Sequence, residues 1–192
     1  MPPKPKFNKE LVLETAFQLV REQGVENLNA RSIAKMLNSS VQPVFSYYEN
    51  MADLKTDLFA MVNEYHSRYF DKVVSDENFF SNVGLAYICF AIEEPNLFKL
   101  LFMTNSFEGM QLNQFVSGEC NEHITDAIPD GFNQSISESN PVFTDMWLYA
   151  HGIASMIVMN QISFERSEIE SMIKNMFSLL VSGQNGGHNE SV

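Results

Sequence analysis

Apolar residues recur at helical spacing along most of the chain. Val12, Ala16 and Leu19 fall three or four positions apart, as on one face of an α-helix. Asn8, a typical N-cap residue, precedes this run, and Gly24, a typical C-terminal stop, follows it. The pattern therefore predicts a first helix between these two residues.

Two short helices and one long helix are predicted next. Asn29 is the expected cap of the second helix, and Ser40 is the expected cap of a third that carries Pro43 in its first turn. Between them, Asn38 is a residue that tolerates the left-handed conformation of a tight turn. Asn50 is the expected cap of a fourth helix that reaches about residue 70. The apolar residues expected to hold the second and third helices together are Ile33, Ala34, Leu37, Val41, Val44 and Phe45.

The remaining chain also predicts helices, over residues 79–93, 96–103, 112–128, 141–161 and 165–182. Ser167 and Glu170 have the spacing of a capping box, and Gly183 is expected to end the last helix. No alternating pattern predicts a strand, so the fold class is all-α. The expected domains are a flexible basic arm at 1–7, a three-helix domain at 8–50, an antiparallel helical bundle at 51–182 and a disordered tail at 183–192.

The net charge of −12 is unevenly distributed along the sequence. Residues 1–55 contain seven Lys/Arg and six Asp/Glu, a net charge of +1, whereas residues 56–192 carry −13. Such asymmetry suggests different roles for the two parts, although chance variation gives the same pattern. There is no signal peptide and no uninterrupted apolar stretch of about 18 residues, which predicts a cytoplasmic protein with no membrane span.

Three helices with a tight turn between the last two are the parts of a helix-turn-helix, and equally of an ordinary helical hairpin. The DNA-binding interpretation needs polar groups on the third helix that contact base edges, and hydroxyls or cations that contact phosphates. The residues that meet these needs, including an aromatic pair at the end of the third helix, are Asn29, Arg31, Ser39, Ser40, Gln42, Pro43, Ser46, Tyr47, Tyr48 and Lys55.

These residues lie in a segment of the sequence that resembles a known protein family. The run LVLETAFQLVREQGVENLNARSIAKMLNSSVQPVFSYYENMADL resembles the N-terminal domain of the TetR family of bacterial transcriptional regulators. Downstream, AIEEPNLFKLLFM and the W-x-x-x-H-G sequence at 147–152 are similar to one TetR subgroup. Met51 departs from the family's usual Lys at the start of the fourth helix, and Lys55 lies one turn later. The resemblance implies a homodimeric repressor that binds a double-stranded DNA operator and is released by a small effector.

The resemblance also implies that the last two long helices pair with their copies. The residues expected at that dimer interface are Gly152, Ser155, Met156, Met159, Ile169, Met172, Ile173, Met176, Phe177 and Leu180. An apolar effector pocket, rather than plain core, is the interpretation given to Phe90, Phe98, Phe102, Met103, Phe107, Trp147 and His151. The acidic surroundings favour an apolar or cationic effector. For His151, a hydrogen-bonded position between two helices is the stronger alternative.

Catalysis has no support in the sequence, because no nucleophile, phosphate-binding or dinucleotide-binding motif is present, and no cofactor is expected. Glu119 and His123 have the i, i+4 spacing of a metal face, with Cys120 nearby, but a solvated helix face is commoner, so no metal site is predicted. The alternative function is an adaptor of the same fold that is controlled by a protein partner, supported by Met51 and the acidic body.

The third helix contains no Arg or Lys, so it lacks the commonest specific contact to guanine. Gln42 is suited to adenine N6 and N7, which predicts an A·T-rich half-site beneath this helix. We expect Gln42→Ala to lose about 1–3 kcal/mol of discrimination at one A·T position and to leave non-specific binding unchanged. Competition binding with base-substituted duplexes measures this, and half-sites with G·C at their centre would contradict it.

Overall fold

The computed structural model describes residues 7–70, 79–104, 141–160 and 162–186. Within these segments the regular structure is helical and contains no strand, which confirms the all-α prediction. The α-helices described are α1 Lys9–Gln23, α2 Ala30–Met36, α3 Gln42–Tyr47, α4 Met51–Phe70, α5 Phe79–Glu93, α6 Pro95–Phe102, α7 Pro141–Asn160 and α8 Arg166–Gly186. The predicted helix at 112–128 lies outside the described residues.

The chain divides into two compact units. The first contains the described residues of Met1–Tyr65 and Glu94–Thr104, and the second those of His66–Glu93 and Asn105–Val192. The first unit therefore includes α6 as well as the N-terminal helices, although α6 follows α5 in the sequence. Helix α4 begins in the first unit and ends in the second.

The first unit begins with a well-capped helix. The Oδ1 of Asn8 accepts a hydrogen bond from the N–H of Leu11 at 2.8 Å, which satisfies a donor that the first turn of α1 leaves unpaired. At the other end Gly24 has a φ of 86°, a conformation that suits glycine, and its N–H donates to the carbonyl of Val20. Both predicted ends of α1 are confirmed. Its apolar face, which includes Val12, Ala16 and Val20, is fully buried.

An ion pair joins α1 to the start of α6. The Nε of Arg21 donates to Oε2 of Glu94 at 2.7 Å, and its Nη2 donates to Oε1 of the same carboxylate. The hydroxyl of Tyr65, near the middle of α4, also donates to Oε1 of Glu94 at 2.9 Å. Only 5% of Glu94 is exposed, so these donors replace the water that its charge has lost. The carboxylate thereby ties three helices of the first unit together and raises the pKa of Arg21.

The second unit is built on α5, which packs mainly against α7 and also against α8, while α7 and α8 contact each other. Gly84 of α5 faces Ile173 of α8, and a Cβ at Gly84 would lie 3.2 Å from the Ile173 Cδ1. A side chain at position 84 would therefore require Ile173 to shift by a few tenths of an ångström. Ile169 and Ile173 are buried in this contact region.

Helix α7 is the most apolar long helix of the described chain. Its stretch Val142–Met159 has a mean hydropathy of 1.2 over 18 residues, so by length and composition it qualifies as a membrane span. Polar residues interrupt this stretch, and for that reason the sequence predicts no membrane span. A core helix of a globular unit gives the same signal, and 44% of the stretch is buried within the protein. Helix α7 packs against α5, and this packing accounts for its many apolar residues.

Three predicted helix ends are wrong in detail. The N-cap position of α3 is Val41 rather than Ser40, whose Oγ accepts from the N–H of Gln42 at 3.4 Å. At the start of α8, Glu168 accepts a 2.8 Å hydrogen bond from the N–H of Glu165, a capping contact two residues before the predicted Ser167 box. Helix α8 continues through Gly183 to Gly186, because a glycine ends a helix only where it leaves the helical conformation.

The Arg21–Glu94 pair predicts an asymmetric response to mutation. Arg21→Ala leaves a buried carboxylate without its cation, and we expect a loss of about 2–3 kcal/mol of unfolding free energy. The expected loss is smaller than for a fully buried ion pair, because 41% of the Arg21 side chain is exposed. Urea unfolding measures the loss. The control is Arg166→Ala, which removes an exposed pair with Glu170 and is expected to leave the free energy of unfolding nearly unchanged. Equal losses would contradict the assignment.

Candidate DNA-binding surface and candidate ligand site

The connection between α2 and α3 is a tight turn held by its backbone. Asn29 caps α2, with its Oδ1 accepting from the N–H of Ser32 at 2.9 Å. Asn38 has a φ of 50°, the left-handed conformation expected from the sequence. The N–H of Ser39 then donates to the carbonyl of Ala34 at 2.9 Å and closes the end of α2. The turn directs the chain straight into α3.

The apolar contact that holds α2 and α3 together is smaller than predicted. Ile33, Ala34 and Val44 are buried, as expected, and Leu37 is half-buried. Val41 and Phe45 are 38% and 49% exposed, so their assignment to this contact is wrong. The physical reason is that α3 has only six residues and buries one face, on which Val44 lies. Phe45 is rotated about 100° from Val44 and points away from that face.

Most of the predicted DNA-binding residues surround one surface groove. The groove has a volume of about 410 Å³ and lies along the turn and the outer side of α3. Asn29, Arg31 and Lys55 are exposed elsewhere in the first unit. The residues that line the groove are Phe7, Asn38, Ser39, Ser40, Gln42, Pro43, Ser46 and Tyr47.

Three of the four hydroxyl groups that line this groove donate to the protein's own backbone. Ser46 Oγ donates to the carbonyl of Gln42 at 2.9 Å, and Ser39 Oγ donates to that of Ser40 at the same distance. The hydroxyl of Tyr47 donates to the carbonyl of Phe7 at 2.7 Å, a contact that the sequence did not suggest. The hydroxyl oxygens of Ser39, Ser46 and Tyr47 are still able to accept hydrogen bonds. Gln42, which is exposed, offers an amide with two N–H donors as well as an acceptor.

Tyr48 does not belong to the exposed surface. Only 4% of it is exposed, and the Nζ of Lys9 lies 5.1 Å from the centre of its ring. Burial and the neighbouring Asp57 carboxylate raise the pKa of Tyr48 to about 12. The prediction that Tyr48 contacts DNA is therefore wrong, because its side chain is part of the core. Lys9 itself pairs with Asp57 at 2.7 Å.

In the second unit, the W-x-x-x-H-G sequence forms an aromatic contact. The rings of Trp147 and His151, one turn apart on α7, stack at a centroid distance of 4.7 Å and an angle of 10°. The hydroxyl of Tyr87 on α5 lies 2.9 Å from Nδ1 of His151. Burial lowers the pKa of His151, which favours the neutral ring. The structure thus places His151 in a hydrogen bond between two helices, the stronger of the two alternatives.

A second buried histidine was missed by the sequence reasoning. His66 of α4 is fully buried and meets the edges of the Phe70 and Phe90 rings, with centroids 4.7 and 4.9 Å away. Tyr87 lies 6.3 Å from His66 as well, so one tyrosine ring is near both histidines. The signal was present in the sequence, because Val62, His66 and Phe70 repeat every four residues on one helix face.

The candidate pocket residues belong to both units. Phe98, Phe102 and Met103 belong to the first unit, whereas Phe90, Trp147 and His151 belong to the second. Phe107 lies outside the described residues. The cavity beside Trp147 and Tyr87 measures about 20 Å³, which is space for one water molecule.

The predicted dimer residues fall into two groups. Ile169 and Ile173 are buried within the second unit, so their assignment to a surface is wrong. The sequence could not show this, because α8 has apolar residues on more than one face. Two exposed leucines, Leu148 and Leu179, were missed. The predicted residues that remain at least partly exposed are Gly152, Ser155, Met156, Met159, Met172, Met176, Phe177 and Leu180.

The described residues contain no group of three or more His, Cys, Asp or Glu side chains that could hold a metal ion. The Glu119, Cys120 and His123 stretch lies outside them. The described part of the chain thus offers one polar groove on α3 and one histidine–aromatic cluster in the second unit.

Comparison of the structure with solved proteins identifies the fold. A TetR family member from Streptomyces coelicolor A3 is similar with a TM-score of 0.62 and 11% identity, covering 88% of this chain and 96% of that one. The multidrug binding protein EbrR, complexed with imidazole, is similar with a TM-score of 0.60 and 12% identity, covering 91% of this chain and 94% of that one. No protein-family profile and no curated protein matches the sequence. The chain has the fold of TetR-family regulators.

Proposed function

We propose that the protein is a sequence-specific DNA-binding transcriptional regulator. The observation that carries the proposal is the α2–α3 pair, in which the left-handed Asn38 brings the polar face of α3 to a surface groove. A helix presented in this way fits the major groove of B-DNA, which is about 12 Å wide. The likeness to TetR-family structures over most of the chain supports the same role.

The electrostatics of the first unit agree with this role. Arg31, Lys35 and Lys55 are exposed there, on α2 and at the start of α4. The excess of acidic residues lies after residue 55, where it repels phosphates from the rest of the chain. DNA binding therefore depends on few charges, and we assign these three cations to phosphate contacts.

Regulation is assigned to the second unit. Its buried histidine–aromatic cluster suits an apolar or cationic aromatic effector, because ring faces attract cations and ring edges pack against apolar groups. The EbrR structure contains imidazole, a small aromatic base. The cavity beside Tyr87 and Trp147 measures about 20 Å³, so an effector binds there by opening it and favours a second conformation. A coupling of about 1–3 kcal/mol is enough to release DNA. We assign no catalytic activity, and the cytoplasm is the compartment in which the protein meets its operator.

The adaptor alternative keeps the fold and replaces the small effector with a protein partner. The specific observation in its favour is the 20 Å³ cavity beside Trp147, which holds no effector without rearrangement. Thermal unfolding with a panel of aromatic cations distinguishes the two functions. A raised midpoint that accompanies DNA release supports the effector, whereas release only by a protein supports the adaptor.

Selection from random duplex DNA tests the regulator proposal directly. We expect an enriched inverted repeat, and Lys55→Ala is expected to reduce the slope of log affinity against log salt by about 1. Lys174→Ala removes an equal charge from α8 and serves as the control, with no expected change in slope. Failure to enrich any sequence would overturn the proposal.

The inverted repeat requires a homodimer, and the exposed apolar residues of α7 and α8 are its proposed interface. Met159 is 63% exposed and Leu179 is 69% exposed, which is unusual for large apolar side chains on long helices. We expect a dimer at micromolar concentration by light scattering, and a monomer after Met159→Glu with Leu179→Glu. Ile92→Glu, an exposed apolar site on α5, is the control. A monomeric wild-type protein would contradict the interface and the inverted repeat together.

A further inference from the structure

Helix α3 exposes two large apolar side chains that the contact with α2 does not use. Val41, at the N-cap position, is 38% exposed, and Phe45 is 49% exposed. The N–H of Phe45 donates to the carbonyl of Val41 at 3.4 Å, so the two residues lie one helical turn apart on the same side of α3. We call Val41 and Phe45 the apolar strip of α3.

The apolar strip adjoins the polar face that we assign to base contacts. Gln42 follows Val41 and Ser46 follows Phe45, each about 100° further round the helix, and both polar residues line the α3 groove. Hydrogen bonding from this face is limited, because Ser46 donates its proton to the carbonyl of Gln42, and α3 contains no Arg or Lys. Discrimination by this helix beyond Gln42 therefore depends largely on apolar contact.

The size of the apolar strip argues against a protein partner. Two partly exposed side chains of this kind offer roughly 150–200 Å², whereas each partner in a stable protein complex buries about 800 Å². The cations exposed on the same unit, Arg31, Lys35 and Lys55, instead suit a polyanion. In the major groove of DNA, the C5 methyl of thymine is the only apolar group that an unmodified base edge presents. The chemistry of the apolar strip thus matches that methyl group.

We infer that Val41 and Phe45 are specificity-determining residues that contact the 5-methyl groups of pyrimidines in the half-site, so that the protein distinguishes thymine from uracil and 5-methylcytosine from cytosine. Four residues of an α-helix rise about 6 Å, which is close to two base-pair steps of about 3.4 Å, so the two methyl groups are expected within about two base pairs of each other. This inference rests on the proposed DNA-binding function and names the chemical group that the site recognises.

Base analogues test the inference on a duplex enriched by selection. Each thymine of one half-site is replaced in turn by uracil, which deletes the methyl group and keeps the pairing and the O4 acceptor. By fluorescence anisotropy we expect about a fourfold loss of affinity at two positions, the value for one buried methyl group, and little change at the others. At the same two positions C·G is expected to bind more weakly than T·A, and 5-methylcytosine is expected to bind about fourfold more tightly than cytosine.

Two variants assign the methyl groups to residues. Phe45→Ala and Val41→Ser each remove an exposed apolar side chain, and both substitutes suit the backbone, because Ala favours a helix and Ser favours an N-cap. Each variant is expected to lose the difference between thymine and uracil at one position and to keep it at the other. Ile92→Ala, which shortens a side chain of α5 that is 46% exposed, is the matched control and is expected to keep both differences. Thermal unfolding checks the fold of each protein.

Equal binding of thymine and uracil at every position of an enriched duplex would overturn the inference and leave the proposed function standing. Differences that remain in both variants would assign the methyl contacts to other residues and overturn it also. A changed oligomeric state of Phe45→Ala by light scattering, with both base differences kept, would make the apolar strip a contact between copies of the chain, and the inference would be wrong. If wild type enriches no duplex, the proposed function fails and this inference fails with it.

Discussion

The buried carboxylate of Glu94 is the constraint on which the first unit depends. A charge with 5% exposure is stable only with strong donors, and Arg21 of α1 and Tyr65 of α4 supply them. Glu94 follows α5 directly and precedes Pro95, so the same residue also marks the end of one helix and the beginning of the next. The first unit includes α6 for this reason, and the chain passes between its two units within α4, at Glu93–Glu94 and after Thr104.

Local signals in the sequence were sufficient for the helices. Capping residues such as Asn8, Asn29 and Asn50 act through hydrogen bonds to residues two or three positions away, which a sequence displays directly. The left-handed Asn38 was predictable for the same reason. The ends of α3 and α8 were less predictable, since more than one residue near each end is able to cap, and the tertiary packing decides which one does.

The sequence predicted where the candidate site lies, but not which of its side chains face outward. The sequence placed Gln42, Ser46 and Tyr47 on one helix face, and the structure brings them to one groove. It did not show that Tyr48 turns inward, because two adjacent tyrosines have the same composition and only the fold determines which one is buried. The Tyr47–Phe7 and Arg21–Glu94 contacts span 40 and 73 residues, and no local pattern encodes such pairs.

The close approach at Gly84 has a consequence for how the protein is able to evolve. Ile173 of α8 lies against Gly84, while Met172 and Met176 of the same helix are partly exposed. A larger residue at position 84 would press on Ile173, and the strain would pass to the neighbouring side chains of α8. The arrangement of the exposed side chains of α8 thus depends in part on the buried Gly84. Lineages with identical exposed residues on α8 are therefore able to diverge in the shape of that surface.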